Sequence, residues 1–211
     1  MQAQLSAVSR RAGVTGRSSR APVRRAVVVQ AKKYEGTLMA EPGMKFGVVV
    51  ARFNSLVTKA LLEGAMEDFE KRGVKPENVD VAWVPGSFEL PMVAKMMAKS
   101  GKYDAVVGIG AVIMGSTKHF DAVVGGAVSG CMHASTDSGV PVIFGVLTTD
   151  TLEQALDRSG GKIGNKGGEA AFTAVEMATL MRQLRSNGCA ALADVGPIYS
   201  ADSDPNNFPS A

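Results

Sequence analysis

Phe46-Gly47-Val48-Val49-Val50-Ala51 is a β-branched run with no polar residue in it. Successive side chains of a strand point to opposite faces, so a run without alternation needs apolar cover on both sides. That is the signature of a strand inside a parallel sheet. Asn54 then stands where a helix cap is expected, and Val57, Leu61, Ala65 and Phe69 recur every four residues, with Leu62 and Met66 beside them. Gly73 ends this helix. The strand–helix unit repeats. Val79 to Val84 reads as a second strand, stopped by Pro85-Gly86. Leu90 to Lys99 reads as a helix, with Pro91 in its first turn. Tyr103 to Ile113 is a third, very apolar strand. Gly115 to Lys118 is a polar turn, and Asp121 to about Ser138 a helix of small residues. Pro141 to Leu147 is the fourth strand. Thr149 or Asp150 is expected to cap a helix ending near Ser159. A glycine-rich break spans 160–168, and a last helix runs to about Ser186, with Ala170, Ala174, Met177, Met181 and Leu184 on one stripe. This alternation predicts an α/β fold: a parallel sheet covered by helices on both faces.

The chain has 211 residues, 45% hydrophobic and 20% charged, the balance of a globular protein with one substantial core. Its apolar runs fall well short of a membrane span. The formal charge of +3 averages two unlike segments. Residues 1–33 hold Arg10, Arg11, Arg17, Arg20, Arg24, Arg25, Lys32 and Lys33 and no acidic residue, so the remainder is acidic. A basic, Ser- and Ala-bearing, acid-free leader without an apolar central run reads as an organellar transit peptide, cleaved near Val29-Gln30-Ala31. The alternative, a basic arm for nucleic acid, finds no basic face in the acidic remainder to hold phosphates. Residues 34–187 are expected to form the folded domain. Residues 188–211, rich in Asp, Pro, Asn, Ser and Ala, are expected to be a disordered tail. Cys131 and Cys189 have neither metal-ligand nor redox spacing and read as ordinary thiols.

Ligands of open parallel α/β sheets bind beyond the carboxyl ends of the strands. The loops there are Ala51-Arg52-Phe53-Asn54, Val84 to Glu89, Gly115 to His119, and Thr148-Thr149-Asp150. Together they offer an aromatic platform, a carboxylate, and a hydroxyl-bearing turn with a histidine. His119 follows the Gly-Ser-Thr turn near a helix start and suits proton transfer, though a surface or capping histidine fits the same spacing. His133, in mid-helix, has no such setting. Phe53 also fits core packing, and Glu89 fits a favourable charge at a helix N-terminus. Arg158, Lys162 and Lys166 beside flexible glycines suit a phosphorylated ligand, or merely a solvated helix end. Gly108-Ile109-Gly110 lies within a strand and opens no helix, so it is not a dinucleotide fingerprint. The glycine-rich segment lacks a P-loop's Gly-Lys-Ser or Gly-Lys-Thr.

Five stretches in order resemble the lumazine synthases: residues 51–54; 84–91; Gly110-Ala111-Val112-Ile113 with Gly115, Thr117, His119 and Asp121; 141–148; and 160–167. The resemblance runs from about Lys33 to Leu184, and the basic leader is similar to those of plant and algal members. It implies a three-layer α/β/α sandwich on a four-stranded parallel sheet of flavodoxin-like order. It also implies an enzyme that condenses 5-amino-6-(D-ribitylamino)uracil with 3,4-dihydroxy-2-butanone 4-phosphate to 6,7-dimethyl-8-ribityllumazine, without metal or cofactor, in the plastid stroma. By motif, Phe53 would stack on the pyrimidine, and Ser87, Phe88 and Glu89 would hold the ribityl chain. Ala111, Val112 and Ile113 would meet the ring edge, Ser116 and Thr117 the phosphate. His119 would carry protons. Phe144, Arg158 and Lys166 would come from a neighbouring subunit, Arg158 to the phosphate. A shared site requires a homo-oligomer. The family forms pentamers, some assembled into icosahedral shells, and no insertion interrupts 160–168 as in pentamer-only members. Met114 stands where the family usually has a basic residue. Gly125 and Gly126 stand where many members carry Asn and a small polar or acidic residue. Competing readings are a flavin- or pterin-type binding module, a shell-forming paralogue without activity, and the related archaeal riboflavin synthase.

Overall fold

A computed structural model describes residues 31–189, and the folded body within it begins at Tyr34. The leader through Gln30, with most of its expected cleavage point, and the tail from Ala190 lie outside the described residues. Four parallel strands form the sheet: β1 (Phe46–Ala51), β2 (Val79–Val84), β3 (Ala105–Ile113) and β4 (Val142–Thr149), in the order β2-β1-β3-β4. In register, Val48 stands between Val81 of β2 and Val107 of β3. The order is flavodoxin-like, and the body is an α/β sandwich as the sequence predicts.

The two central strands explain their own composition. Every residue of β1 is buried, and so are the first eight of β3. Phe46, Val48 and Val50 join a core with α1 (Ser55–Lys71) and α5 (Lys166–Ser186). Val49 and Ala51 point the other way, to a core with α2 (Leu90–Lys99) and α3 (His119–Ser138). Consecutive residues of one strand thus serve opposite layers, and neither face leaves room for a polar side chain. The edge strand β2 is different: Asp80, Val81 and Trp83 are exposed.

Several boundaries differ from expectation, each for a local reason. Tyr103 and Asp104 precede β3. Asp104 is held at the foot of the sheet, where its carboxylate accepts from the Lys45 amide and from Arg182 at 2.9 Å each. β4 continues through Thr149, so neither Thr149 nor Asp150 is a cap. Thr151 caps α4 (Leu152–Asp157), its hydroxyl accepting from the Gln154 amide at 3.2 Å. α3 begins at His119, two residues early. The stripe buried on α5 is Ala170, Ala171, Ala174, Val175, Ala178 and Thr179, while Met177, Met181 and Leu184 are half-buried. Small residues let this helix lie close against α1.

The glycine-rich segment is not a flexible break. It folds as a hairpin of β5 (Ser159–Gly161) and β6 (Gly164–Asn165), with Gly160 at φ 117° and Gly164 at φ 87°, conformations that other residues rarely adopt. Asn165 caps α5, accepting from the Gly167 amide at 2.9 Å and donating to the Ala60 carbonyl at 2.8 Å. Gly167 lies so close to the Leu61 carbonyl that no Cβ fits between them. No helix of the described residues is long and apolar enough to cross a membrane.

Candidate active site

A cavity of about 560 Å³ opens at the carboxyl ends of β1, β2 and β3, a volume suited to a small molecule. The loops around it are tied to one another by backbone. Past the end of β1, the Arg52 amide donates to the Val84 carbonyl at 2.8 Å and the Phe53 amide to Pro85 at 3.0 Å. The β1–β2 ladder therefore continues into the loops. Phe53 is 70% exposed and lines the cavity, which removes the core-packing reading.

Asn54 does not cap α1 with its side chain. It sits in the left-handed region at φ 57°, which asparagine tolerates better than most residues. Its side-chain amide donates to the Ala111 carbonyl at 2.8 Å, so it ties the end of β1 to the end of β3. Asn54 thus holds the N-cap position expected of it, while its side chain makes this cross-strand bond in place of a cap bond.

The loop between β2 and α2 is clasped by Glu89, whose carboxylate accepts from the Gly86 amide at 2.9 Å. Within that turn Ser87 is only 5% exposed, its hydroxyl lying over Gly110 of β3, where a Cβ would come within 2.5 Å of it. Phe88 is 58% exposed and lines the cavity with Ser87 and Glu89. Ala111, Val112 and Ile113 form the wall at the end of β3.

Gly115 and Thr117 bring the lining to His119, which opens α3 and is exposed at the cavity. Ser116 is exposed and outside the lining, apart from its neighbour Thr117. Phe120, Ala122 and Val123 complete the wall, residues the sequence reading did not name. Once α3 is known to begin at His119, helical spacing puts Ala122 and Val123, three and four residues on, along the same side as His119. That spacing was the available signal.

Phe144, Arg158 and Lys166 are brought together elsewhere. They line a second cavity of about 470 Å³ between the edge strand β4 and the start of α5. The half-buried Arg158 donates to the Gln154 carbonyl at 3.0 Å, and Lys166 pairs with Glu169 at 2.7 Å. Lys162 is exposed on the hairpin and outside this lining. One chain thus divides the expected set between two cavities: the histidine and aromatic platform in one, the cations and Phe144 in the other.

His133 is exposed on α3 with a ring nitrogen 2.8 Å from the Ser129 carbonyl, outside the first cavity. Cys131 is buried, which pushes its thiol up to about 11, and Cys189 is exposed; both are free. Among the described residues no cluster of three His, Cys, Asp or Glu side chains is arranged to hold a metal ion.

Residues 43–182 match the family model described as 6,7-dimethyl-8-ribityllumazine synthase. Over 145 residues the chain is 59% identical to the Arabidopsis thaliana protein named "6,7-dimethyl-8-ribityllumazine synthase, chloroplastic". That match covers 69% of this chain and 64% of the relative, just under two thirds of the relative's length. Residues 43–182 contain the lining of both cavities.

Proposed function

The chain belongs to the 6,7-dimethyl-8-ribityllumazine synthase family, and on that premise we propose that it joins 5-amino-6-(D-ribitylamino)uracil to 3,4-dihydroxy-2-butanone 4-phosphate. The products are 6,7-dimethyl-8-ribityllumazine, inorganic phosphate and water, and the step is a transferase reaction of riboflavin biosynthesis. The observation that carries the proposal is the first cavity, in which Phe53, the Ser87 to Glu89 loop and His119 converge from three strand ends.

In this reading Phe53 stacks on the pyrimidine, and Ser87, Phe88 and Glu89 hold the ribityl chain. The backbone of Ala111, Val112 and Ile113 meets the ring edge. One lone pair of the Ala111 carbonyl is already taken by Asn54, so the strand end arrives in a fixed position. Attack of the free amine on the butanone carbonyl expels water and gives an imine. Loss of a proton beside it breaks the C–O bond to phosphate, and the second amine then closes the ring with loss of water. His119 moves these protons, and Ser116 and Thr117 meet the phosphate. Most of the acceleration comes from holding two reactants in register, with cations at the departing phosphate adding to it.

Those cations are Arg158 and Lys166, with Phe144, from a second copy of the chain. Their separation from His119 within one chain supports a site completed across a subunit boundary. A cyclic pentamer provides five such sites, and pentamers packed into an icosahedral shell are the assembly we propose. The acid-free leader and the chloroplastic name of the relative support a plastid stromal location.

The test is direct. The purified chain is mixed with both substrates and the lumazine chromophore followed by absorbance, with Arg158→Ala alongside. Product from the parent, and a loss of roughly a hundredfold or more in the variant, is expected for a lost charge at a transition-state anion. No product above the uncatalysed background, from an assembled oligomer, overturns the proposal in favour of an inactive shell-forming paralogue. A pentamer-sized particle in light scattering would overturn the shell.

A further inference from the structure

We propose that Gly126 is a positioning residue that seats the Phe88 ring and so sets the width of the cavity. The assigned reaction is the premise of its kinetic consequence, while the seat itself stands on geometry alone.

The backbone on either side of Phe88 has little freedom. Ser87 is buried against Gly110, and Glu89 is clasped to the Gly86 amide. What remains free is the ring's own rotation, and the ring lies over Gly126 of α3. A Cβ built on Gly126 would stand 2.8 Å from the ring's Cδ2 and nearer still to Cε2, closer than any real contact. The ring therefore rests on bare helix backbone, one turn beyond the cavity-lining Ala122 and Val123. A side chain at 126 would force Phe88 into another rotamer and shift that wall.

Two neighbouring glycines separate this role from ordinary packing. At Gly130, one turn on, a Cβ would stand 2.6 Å from Pro91 in the first turn of α2. The proline ring is part of the backbone and cannot swing aside, so Gly130 sets how closely α2 and α3 approach. At Gly126 the three nearest atoms all belong to a rotatable ring. Gly125 has nothing within 4 Å of its Cβ position. Gly125→Ala and Gly126→Ala thus gain the same helix preference, and only the second must displace Phe88. The chain also departs here from the pattern it resembles, in which many members carry a side chain.

A displaced wall alters the hold on the ribityl-bearing substrate and leaves His119 where it is. The expected signature is a rise in KM without a fall in kcat. Four variants decide it: Gly125→Ala, Gly126→Ala, Phe88→Ala, and the Gly126→Ala/Phe88→Ala pair. Gly126→Ala should raise KM for the ribitylaminouracil about tenfold with kcat within about twofold, and Gly125→Ala should leave both within about twofold. With Phe88 removed, Gly126→Ala should have no further effect. A crystal structure of Gly126→Ala should show the ring moved. An unchanged KM, an equal effect without Phe88, or an unmoved ring each overturns the seat. Should the parent form no product, the assigned reaction fails, and the position of the ring in that crystal structure still decides the seat.

Discussion

Tyr103 donates its hydroxyl to Asp80 at 2.6 Å, across the foot of the sheet. This hydrogen bond, helped by burial and the carboxylate's charge, pushes the phenol up to about 12. A raised value in the folded state means that the bond's contribution is full below the ordinary tyrosine value of about 10. It is lost as pH rises from there through about 12. Tyr103→Phe should be less stable than the parent at pH 8, and the gap should close toward pH 12. Denaturant midpoints across that range check this, and a gap constant with pH would dismiss the bond's role. The thiols make a second residue-scale prediction. Exposed Cys189 should react with a disulfide reagent at once, and buried Cys131 only when the chain unfolds. Two prompt equivalents from the native protein would contradict the burial of Cys131.

At the scale of elements, the α1–α5 pair depends on two glycines: Gly167, which the sequence places in the glycine-rich break, and Gly64 inside α1. Gly167 meets the Leu61 carbonyl, and Gly64 lies beneath the Asn165 side chain. Gly167→Ala should cost about 3 kcal/mol, because rigid backbone and not a mobile side chain occupies the space. Gly125→Ala, in open surroundings, should gain about 1 kcal/mol. Urea midpoints at one protein concentration distinguish them, and equal shifts would remove the packing role. The same contrast explains what was legible beforehand. β1 was readable to the residue because an apolar β-branched run has one consistent use in a parallel sheet, and β2 because Pro85-Gly86 stops it. Phe53, Ser87, Phe88, Glu89 and His119 were reachable because strand ends are where such sheets bind ligands, and the family resemblance ordered them. The β5–β6 hairpin was not, because glycine permits both a flexible loop and a tight turn, and composition does not distinguish them. Nor was the Asn54 bond to Ala111, since a cap and a cross-strand tie ask for the same side chain. Phe120, Ala122 and Val123 were hidden by placing the start of α3 two residues late.

At the scale of the whole molecule, the division of the expected residues between two cavities makes a demand on assembly. His119 borders one cavity and Arg158 the other, and in the shared site proposed above each comes from a different copy. In a cyclic pentamer every site then draws its histidine from one subunit and its arginine from the next, a heterologous arrangement that closes on itself. His119→Ala and Arg158→Ala should each be nearly inactive alone. Unfolded together and refolded as a mixture, they should form hybrid rings in which some sites inherit both native residues. For random mixing of equal amounts, each site has one chance in two of a native histidine and, independently, one in two of a native arginine, so roughly a quarter of the parental activity returns. A site built within one chain gives the opposite result, because every chain in the mixture carries one defect and no site escapes. The chromophore assay on the refolded mixture, set against the two variants refolded separately, reads the difference. Activity of the mixture no greater than the mean of the two variants would show that both residues serve one chain, and the case for a shared site would fall with it.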